Sequence, residues 1–257
     1  MAQRIGQIAT DAGALQTRLE ANQAFGSADL ETFVLALLEP RAGEAILEIG
    51  CGTGKFLLPF ARVIGAGGRV VGIDLSAEAL AKAQAATSGQ QAAVQLVHGS
   101  MDELATLVAP ESFDAACSIY SLYYAANPES VVEQLAASLK PGGRLLVVAP
   151  RPGNNGEWFE LLARAGLDAT PPVDPNFVEA RVAPACRRLF AEVTQAPFDN
   201  PIGFPSVQAV MDYWKSTPHY AAEAEGRMRQ LVQEHFGGHD QFANHKRAVG
   251  LLASGRQ

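Results

Sequence analysis

The chain has 257 residues, 48 % of them hydrophobic, which is enough for one large domain with a packed core. Its formal net charge of −7 offers no basic footprint for a phosphate backbone to grip, so nucleic acid is excluded as the first choice of partner. Three cysteines, Cys51, Cys117 and Cys186, lie far apart without CxxC or His spacing; they predict reduced thiols in a cytoplasmic protein rather than a disulfide frame or a metal site.

In chain order, the N-terminal MAQRIGQIATDAG lacks the apolar centre of a signal peptide, and no later run reaches the ~20 apolar residues of a membrane span. Leu15 to Phe25 reads as a weak helix. A stronger one opens at Ser27 and carries Leu30, Phe33, Val34, Leu37 and Leu38 on one face before Pro40 ends it. AILEIG, too short for a helix and followed at once by glycines, reads as a buried parallel strand. The glycines lead into a helix, KFLLPFARVIG, with Pro59 in its first turns, where a missing N–H does least harm. RVVGID is a second strand, Ser76 caps the helix AEALAKAQAA, and VQLVHGS is a third strand. FDAACSIY is the fourth. Asn127 caps a helix with Pro128 at its first position, PGG turns the chain, and RLLVVAP is the fifth strand. Strands and helices that alternate this regularly predict an α/β fold with a parallel sheet and helices on both faces.

Past Pro150 the rhythm weakens, because RPGNNGEW and DATPPVDPNF are rich in turn residues. Predicted here are a helix in EWFELLARA, a strand around FAEVTQAPF, a Ser206-capped helix VQAVMDYW and a helix AEAEGRMRQLVQEHF ended by Gly237 and Gly238. KRAVGLLAS closes the chain as a strand.

The stretch ILEIGCGTGKF places three glycines in five positions and ends an otherwise apolar strand on a glutamate. A strand, a Gly-x-Gly-x-Gly turn and a helix bring main-chain N–H groups close to a ligand. A dinucleotide fingerprint counted from Gly50 needs glycine or alanine at position 55, where Lys55 stands. A P-loop needs Ser or Thr at 56 and a glycine at 49, where Phe56 and Ile49 stand. What remains is E-x-G-x-G-x-G: Glu48, Gly50, Gly52 and Gly54.

With this motif the sequence resembles the class I S-adenosylmethionine (SAM) dependent methyltransferases, of the small-molecule, ubiquinone- and menaquinone-biosynthesis-like kind, from about residue 30 to residue 150. The resemblance implies a doubly wound, Rossmann-like, mostly parallel seven-stranded sheet with helices on both faces and an antiparallel last strand. It implies one methyltransferase domain over 1–257, with a SAM-binding core at 30–150, an acceptor-site cover from 1–29 and 151–240, and a closing strand at 241–257. SAM is the implied cofactor and S-adenosylhomocysteine the product. Glu48, Gly50, Cys51, Gly52 and Gly54 would hold the methionine part of SAM, where a carboxylate beside an ammonium and a sulfonium is favourable. Asp74, about 20 residues on, would take the ribose hydroxyls, a role shared with NAD sites. Leu75 would pack on the adenine face and Ser100 and Met101 would meet its edge, although many relatives carry Asp in place of Ser100. Ser118 and Ile119 would line the cofactor at the end of the fourth strand. A catalytically silent SAM-fold binding protein would carry the same motifs. An NAD(P)-dependent oxidoreductase of one common class would need a YxxxK pair, and no lysine lies four residues after any tyrosine.

Methyl transfer is an in-line displacement that needs alignment and dryness, and no metal. An oxygen or nitrogen acceptor also needs a base within reach. His219, after DYWKSTP in the divergent region, is the preferred candidate, with Tyr123 second, although a tyrosine at neutral pH is a hydrogen-bond partner more readily than a base. Tyr123, Tyr124, Asn154 and Asn155 are the candidate acceptor contacts. His235 and His239 read as structural, and His98 and His245 carry no special signal. Trp158, Phe159, Phe204 and Trp214 could line an aromatic acceptor site, but their helical spacing favours core packing. The fourth strand ends in SIYS, not the N/D-P-P-Y/F motif of enzymes that methylate exocyclic amines. The expected acceptor is a small organic molecule, with O-methylation favoured slightly by family frequency. The sequence does not set the oligomeric state.

Overall fold

A computed structural model describes residues 12–256. Its centre is a seven-stranded sheet built from β1 (Ala45–Ile49), β2 (Arg69–Asp74), β3 (Ala93–His98), β4 (Phe113–Ile119), β5 (Leu139–Pro150), β6 (Phe190–Phe204) and β7 (Phe242–Arg256). The strand order is β3-β2-β1-β4-β5-β7-β6. Strands β3 to β5 pair in parallel, and β7 runs antiparallel to β5, with Arg144 opposite Ser254 and Pro150 opposite Ala248. The order reverses between β1 and β4, so the chain leaves these two neighbours in opposite directions and opens a crevice at their carboxyl ends.

Local sequence explains most of the frame. All five residues of β1 are buried, as expected of a strand covered on both faces. Helix α1 is Ala12–Phe25, α2 is Leu30–Leu38 and α3 is Leu57–Ile64, with buried Pro59 as its third residue. The Ser76 hydroxyl caps α4 (Ala77–Ala86) by accepting the Ala79 N–H, and Asn127 caps α6 (Pro128–Ser138) by accepting the Ser130 N–H. A short helix α5 (Leu104–Leu107) lies between β3 and β4.

Three expectations needed correction. Helix α2 starts at Leu30, and Ser27 is no helix cap; its N–H donates to the Asn200 side chain. PGG is no separate turn: it lies inside β5, where the register jumps from Phe113 opposite Leu139 to Ala115 opposite Arg144, with Gly142 at φ +77° absorbing the bulge. FVEARVAPACRRL holds a π-turn (Val178–Val182) and helix α8 (Ala183–Leu189), which the sequence reading passed over. Arg181 and Arg188 of this segment pair with Glu129 and Glu133 of α6, contacts too distant in sequence to be read locally.

The described chain divides into two compact units. The sheet unit holds Leu30–Arg151, Asn176–Phe198 and 248–256. The other holds 12–29, Pro152–Pro175 and Asp199–Arg247, and includes α7 (Gly156–Arg164), α9 (Val207–Lys215) and α10 (Glu225–Phe236). Its core gathers Trp158, Leu162, Phe204, Met211, Trp214 and Met228, so Trp158, Phe204 and Trp214 are packing residues. Ser206 caps α9 as its sequence predicts. Among the described residues, no helix is long and apolar enough to cross a membrane.

Candidate active site

The turn after β1 is left-handed at each glycine, with φ +65° at Gly50, +55° at Gly52 and +82° at Gly54. The three are glycine for different reasons. A Cβ on Gly50 would stand 2.3 Å from Ser121 Cβ, and one on Gly54 would stand 3.0 Å from Ala83 Cβ. A Cβ on Gly52 would meet nothing within 4 Å, so this is the position where bare backbone faces open space.

The N–H groups of this turn are largely engaged within the protein. Gly50 and Cys51 both donate to Ile73 O, at 2.7 and 3.1 Å, and Gly54 donates to Cys51 O. Asp74 closes the loop: Oδ2 accepts the Gly52 N–H at 2.7 Å and Oδ1 accepts the Ser76 N–H at 2.8 Å. The Cys51 thiol points inward against Gly72 and Leu57, and burial, then Glu48 and Asp74, push its pKa up, which keeps it protonated and inert.

Glu48 is the anomaly of the loop. It is 2 % exposed, and its Oε2 has no hydrogen-bond partner. Burial, and then the negative charge of Asp74, hold its carboxyl well above the usual range. A buried carboxyl with an idle oxygen beside a second carboxylate is a seat for a cationic group, which would supply the missing partner and favour ionisation. The ammonium and sulfonium of SAM fit that seat; a diphosphate would be repelled.

The surface around the candidate adenine contacts is less closed. Leu75 is 71 % exposed, and Met101 extends toward Gly50. Ser100 accepts the Asp102 N–H, and Asp102 accepts the Ala126 N–H at 3.0 Å, tying this turn to the segment after β4. Ser118 is fully buried, and its hydroxyl pairs with that of Ser121 at 2.6 Å. Ser121 in turn donates to Ile49 O at 2.7 Å, so the two serines tie the ends of β1 and β4 together. Ile119 is 7 % exposed. Tyr120, at φ +55°, turns the chain at the end of β4, a conformation no local signal announces.

Known proteins match this chain on the same segments. A family described as a methyltransferase domain matches residues 46–143. Nocamycin O-methyltransferase of Saccharothrix syringae is 28 % identical over 235 residues, covering 80 % of this chain and 84 % of its own. The ubiquinone biosynthesis O-methyltransferase of Albidiferax ferrireducens is 38 % identical over 105 residues, but the match spans only 40 % of either protein. A solved structure from Bacillus halodurans C-125 shares the fold with a TM-score of 0.62 at 16 % identity, over 90 % of this chain and all of that one. The matched family and relatives support a class I SAM-dependent methyltransferase, and the solved structure supports its fold.

Of the candidate acceptor residues, Tyr123 and Tyr124 lie in the sheet unit, with ring centroids 4.6 Å apart and Phe177 edge-on to Tyr123 at 6.0 Å. Burial, then Tyr124 and Tyr120, raise the Tyr123 phenol well above its ordinary value, which keeps its hydroxyl protonated. The other candidates lie in the second unit. The His219 ring meets Phe159 edge-on at 5.8 Å, and its carbonyl accepts the Trp214 indole N–H. Asn154 and Asn155 hold the start of β7: Asn154 Oδ1 accepts the Arg247 N–H, and Asn155 Oδ1 accepts the Asn244 amide. His245, which carried no signal in the sequence, is bound to Glu157 at 2.6 Å. A separation of 88 positions explains why spacing alone does not reveal the pair.

Proposed function

We propose that this SAM-dependent methyltransferase acts on a small organic acceptor, O-methylation being favoured, and that it works in the cytoplasm. The observation that carries the cofactor half is the buried Glu48 carboxyl with its unpartnered oxygen at the glycine turn. The acceptor half is supported by the O-methyltransferase names of the nocamycin and ubiquinone relatives. Three buried free cysteines support a reducing compartment.

In this reading Glu48 takes the ammonium group of the cofactor, with Gly50, Cys51, Gly52 and Gly54 shaping the turn beneath it. Asp74 keeps its two backbone bonds and offers its remaining lone pairs to the ribose hydroxyls. Leu75 covers the adenine face, Ser100 and Met101 meet its edge, and Ser118 and Ile119 form the wall behind. SAM, when bound, supplies an electrophilic methyl carbon on a sulfonium. The protein's own task is to orient the acceptor and exclude water. Tyr123 and Tyr124 are assigned to acceptor contact, as are Asn154 and Asn155, and His219 is the candidate base.

Calorimetric titration with SAM and with NAD tests the cofactor assignment: micromolar SAM binding without NAD binding is expected, and the converse would overturn it. Transfer of labelled methyl from SAM to a metabolite extract tests the activity. Tight SAM binding with no labelled product from broad extracts would make the protein a silent binder instead.

A further inference from the structure

Glu48 stands at the middle of the sheet unit, opposite Gly72 of β2 and Cys117 of β4. Residues paired in register on parallel strands face the same side of the sheet. The space that a side chain on Gly72 would fill is taken by Leu57 and the Cys51 thiol, so an apolar wall flanks the carboxyl. The titratable groups that act on Glu48 or feel its charge are Asp74 at the end of β2, Cys51 in the turn and Cys117 on β4. All are acids, and none brings a positive charge to this corner. Asp74 shows the contrast: each of its oxygens accepts a main-chain N–H, from Gly52 and from Ser76. Glu48 Oε2 accepts none, and the side chain is 2 % exposed, too little for bulk solvent to stand in. A buried carboxylate without a partner is costly, and such a group keeps its proton instead. The upward displacement of the carboxyl by burial and then by Asp74 agrees with that geometry.

We infer that Glu48 holds a proton in the unliganded protein and gives it to solvent when the ammonium group of the cofactor arrives, so that cofactor binding is coupled to the release of one proton. The inference rests on the SAM-binding reading of this turn and gives Glu48 a use beyond holding the ligand. Before binding, a neutral carboxyl lets these four acids sit together in the interior. The arriving cation supplies both a partner for Oε2 and a counter-charge, and an ammonium–carboxylate pair in a dry site is stronger than a neutral contact. The O–H bond of the carboxyl breaks, its electron pair stays on oxygen, and the proton passes to water. Methyl transfer removes the charge on sulfur and leaves the ammonium, so Glu48 stays ionised through the reaction and recovers its proton when S-adenosylhomocysteine departs. Affinity therefore depends on pH with a fixed sign: while unliganded Glu48 is protonated, a higher pH favours the bound state.

Calorimetric titration of the full chain with SAM and with S-adenosylhomocysteine, in buffers of low and of high ionisation heat, tests this. Each ligand should release up to one proton, and Kd should fall by up to about tenfold per pH unit as pH rises from the ordinary carboxyl value of 4.5 toward the raised one. Glu48→Gln should release no proton and show a Kd that no longer varies across that window. At neutral pH it should bind SAM about 10-fold or more weakly than wild type, and the two should converge at the acid end. A urea unfolding curve reports that the variant folds; should it not fold, the wild-type heats and Kd profile decide alone. Equal heats in the two buffers with a wild-type Kd independent of pH would overturn the inference, as would proton release that survives in Glu48→Gln. Release with SAM alone would place the partner at sulfur and overturn the ammonium pairing. In each of these cases SAM still binds and the cofactor assignment stands; absence of SAM binding would overturn both.

Discussion

The sheet unit and the second unit are built by different kinds of instruction. In the sheet unit, the elements around the glycine turn are set by neighbours in sequence: Ser76 caps α4 from one residue away, Asn127 caps α6 in the same way, and Asp74 binds the Gly52 N–H from the end of the next strand. In the second unit, side chains hold distant backbone. Asn200 accepts the N–H groups of Ser27 and Ala28, Asn154 accepts that of Arg247, and Glu157 accepts that of His245. The first kind of instruction can be read along the chain, whereas the second exists only once the fold has formed.

The contrast can be broken most severely at Trp214, which is fully buried in the core of the second unit and donates its indole N–H to His219 O. Trp214→Ala should cost about 3–5 kcal/mol in urea unfolding; a loss below about 1 kcal/mol would mean that this unit has no true core. Next comes the glycine turn. Gly50→Ala combines left-handed strain with the collision against Ser121 and should cost about 2–5 kcal/mol. Gly52→Ala carries only the strain, about 1–2 kcal/mol, and should weaken SAM binding more than its stability loss suggests. Equal stability losses would contradict the division between an interior glycine and a crevice glycine.

Glu48 gives a smaller effect with a definite sign. Its folded pKa is raised, so the unliganded native state binds the proton more tightly than the unfolded chain does. Its stability contribution is fully present below the ordinary value of 4.5 and is lost as pH rises toward the folded value. Urea titrations across that window should show Glu48→Gln gaining on wild type by up to about 1.4 kcal/mol per pH unit. Parallel pH profiles would show that the buried carboxyl is not the proton-linked group. Least sensitive is the exposed Glu78 and Lys82 pair on α4, where Lys82→Ala should cost about 0.3–0.5 kcal/mol by the same urea assay. A cost above 1 kcal/mol would show a contribution beyond a solvated ion pair.

The sequence alone disclosed the order of the strands along the chain, the helix caps and the acidic ends of β1 and β2, because periodicity, capping and loop spacing act over a few residues. It did not disclose why Gly50 must be glycine, since Ser121 comes 71 residues later and reaches it only through the left-handed Tyr120. Nor did it disclose α8, whose Pro184 resembles a breaker in isolation but occupies the first turn of the helix. The histidines illustrate the same limit. His219 drew notice because it lies in a divergent, turn-rich stretch, whereas His245 gains its character from a carboxylate on another element.

Cys51, Cys117 and Cys186 are all interior, and burial keeps each thiol protonated, Cys186 being pushed up to about 12. Their alkylation is therefore gated by breathing of the sheet unit rather than by intrinsic reactivity. The molecule thus carries three native reporters of local opening, one in the glycine turn, one on β4 and one on α8, and a ligand seated at the turn would quiet the first of them most.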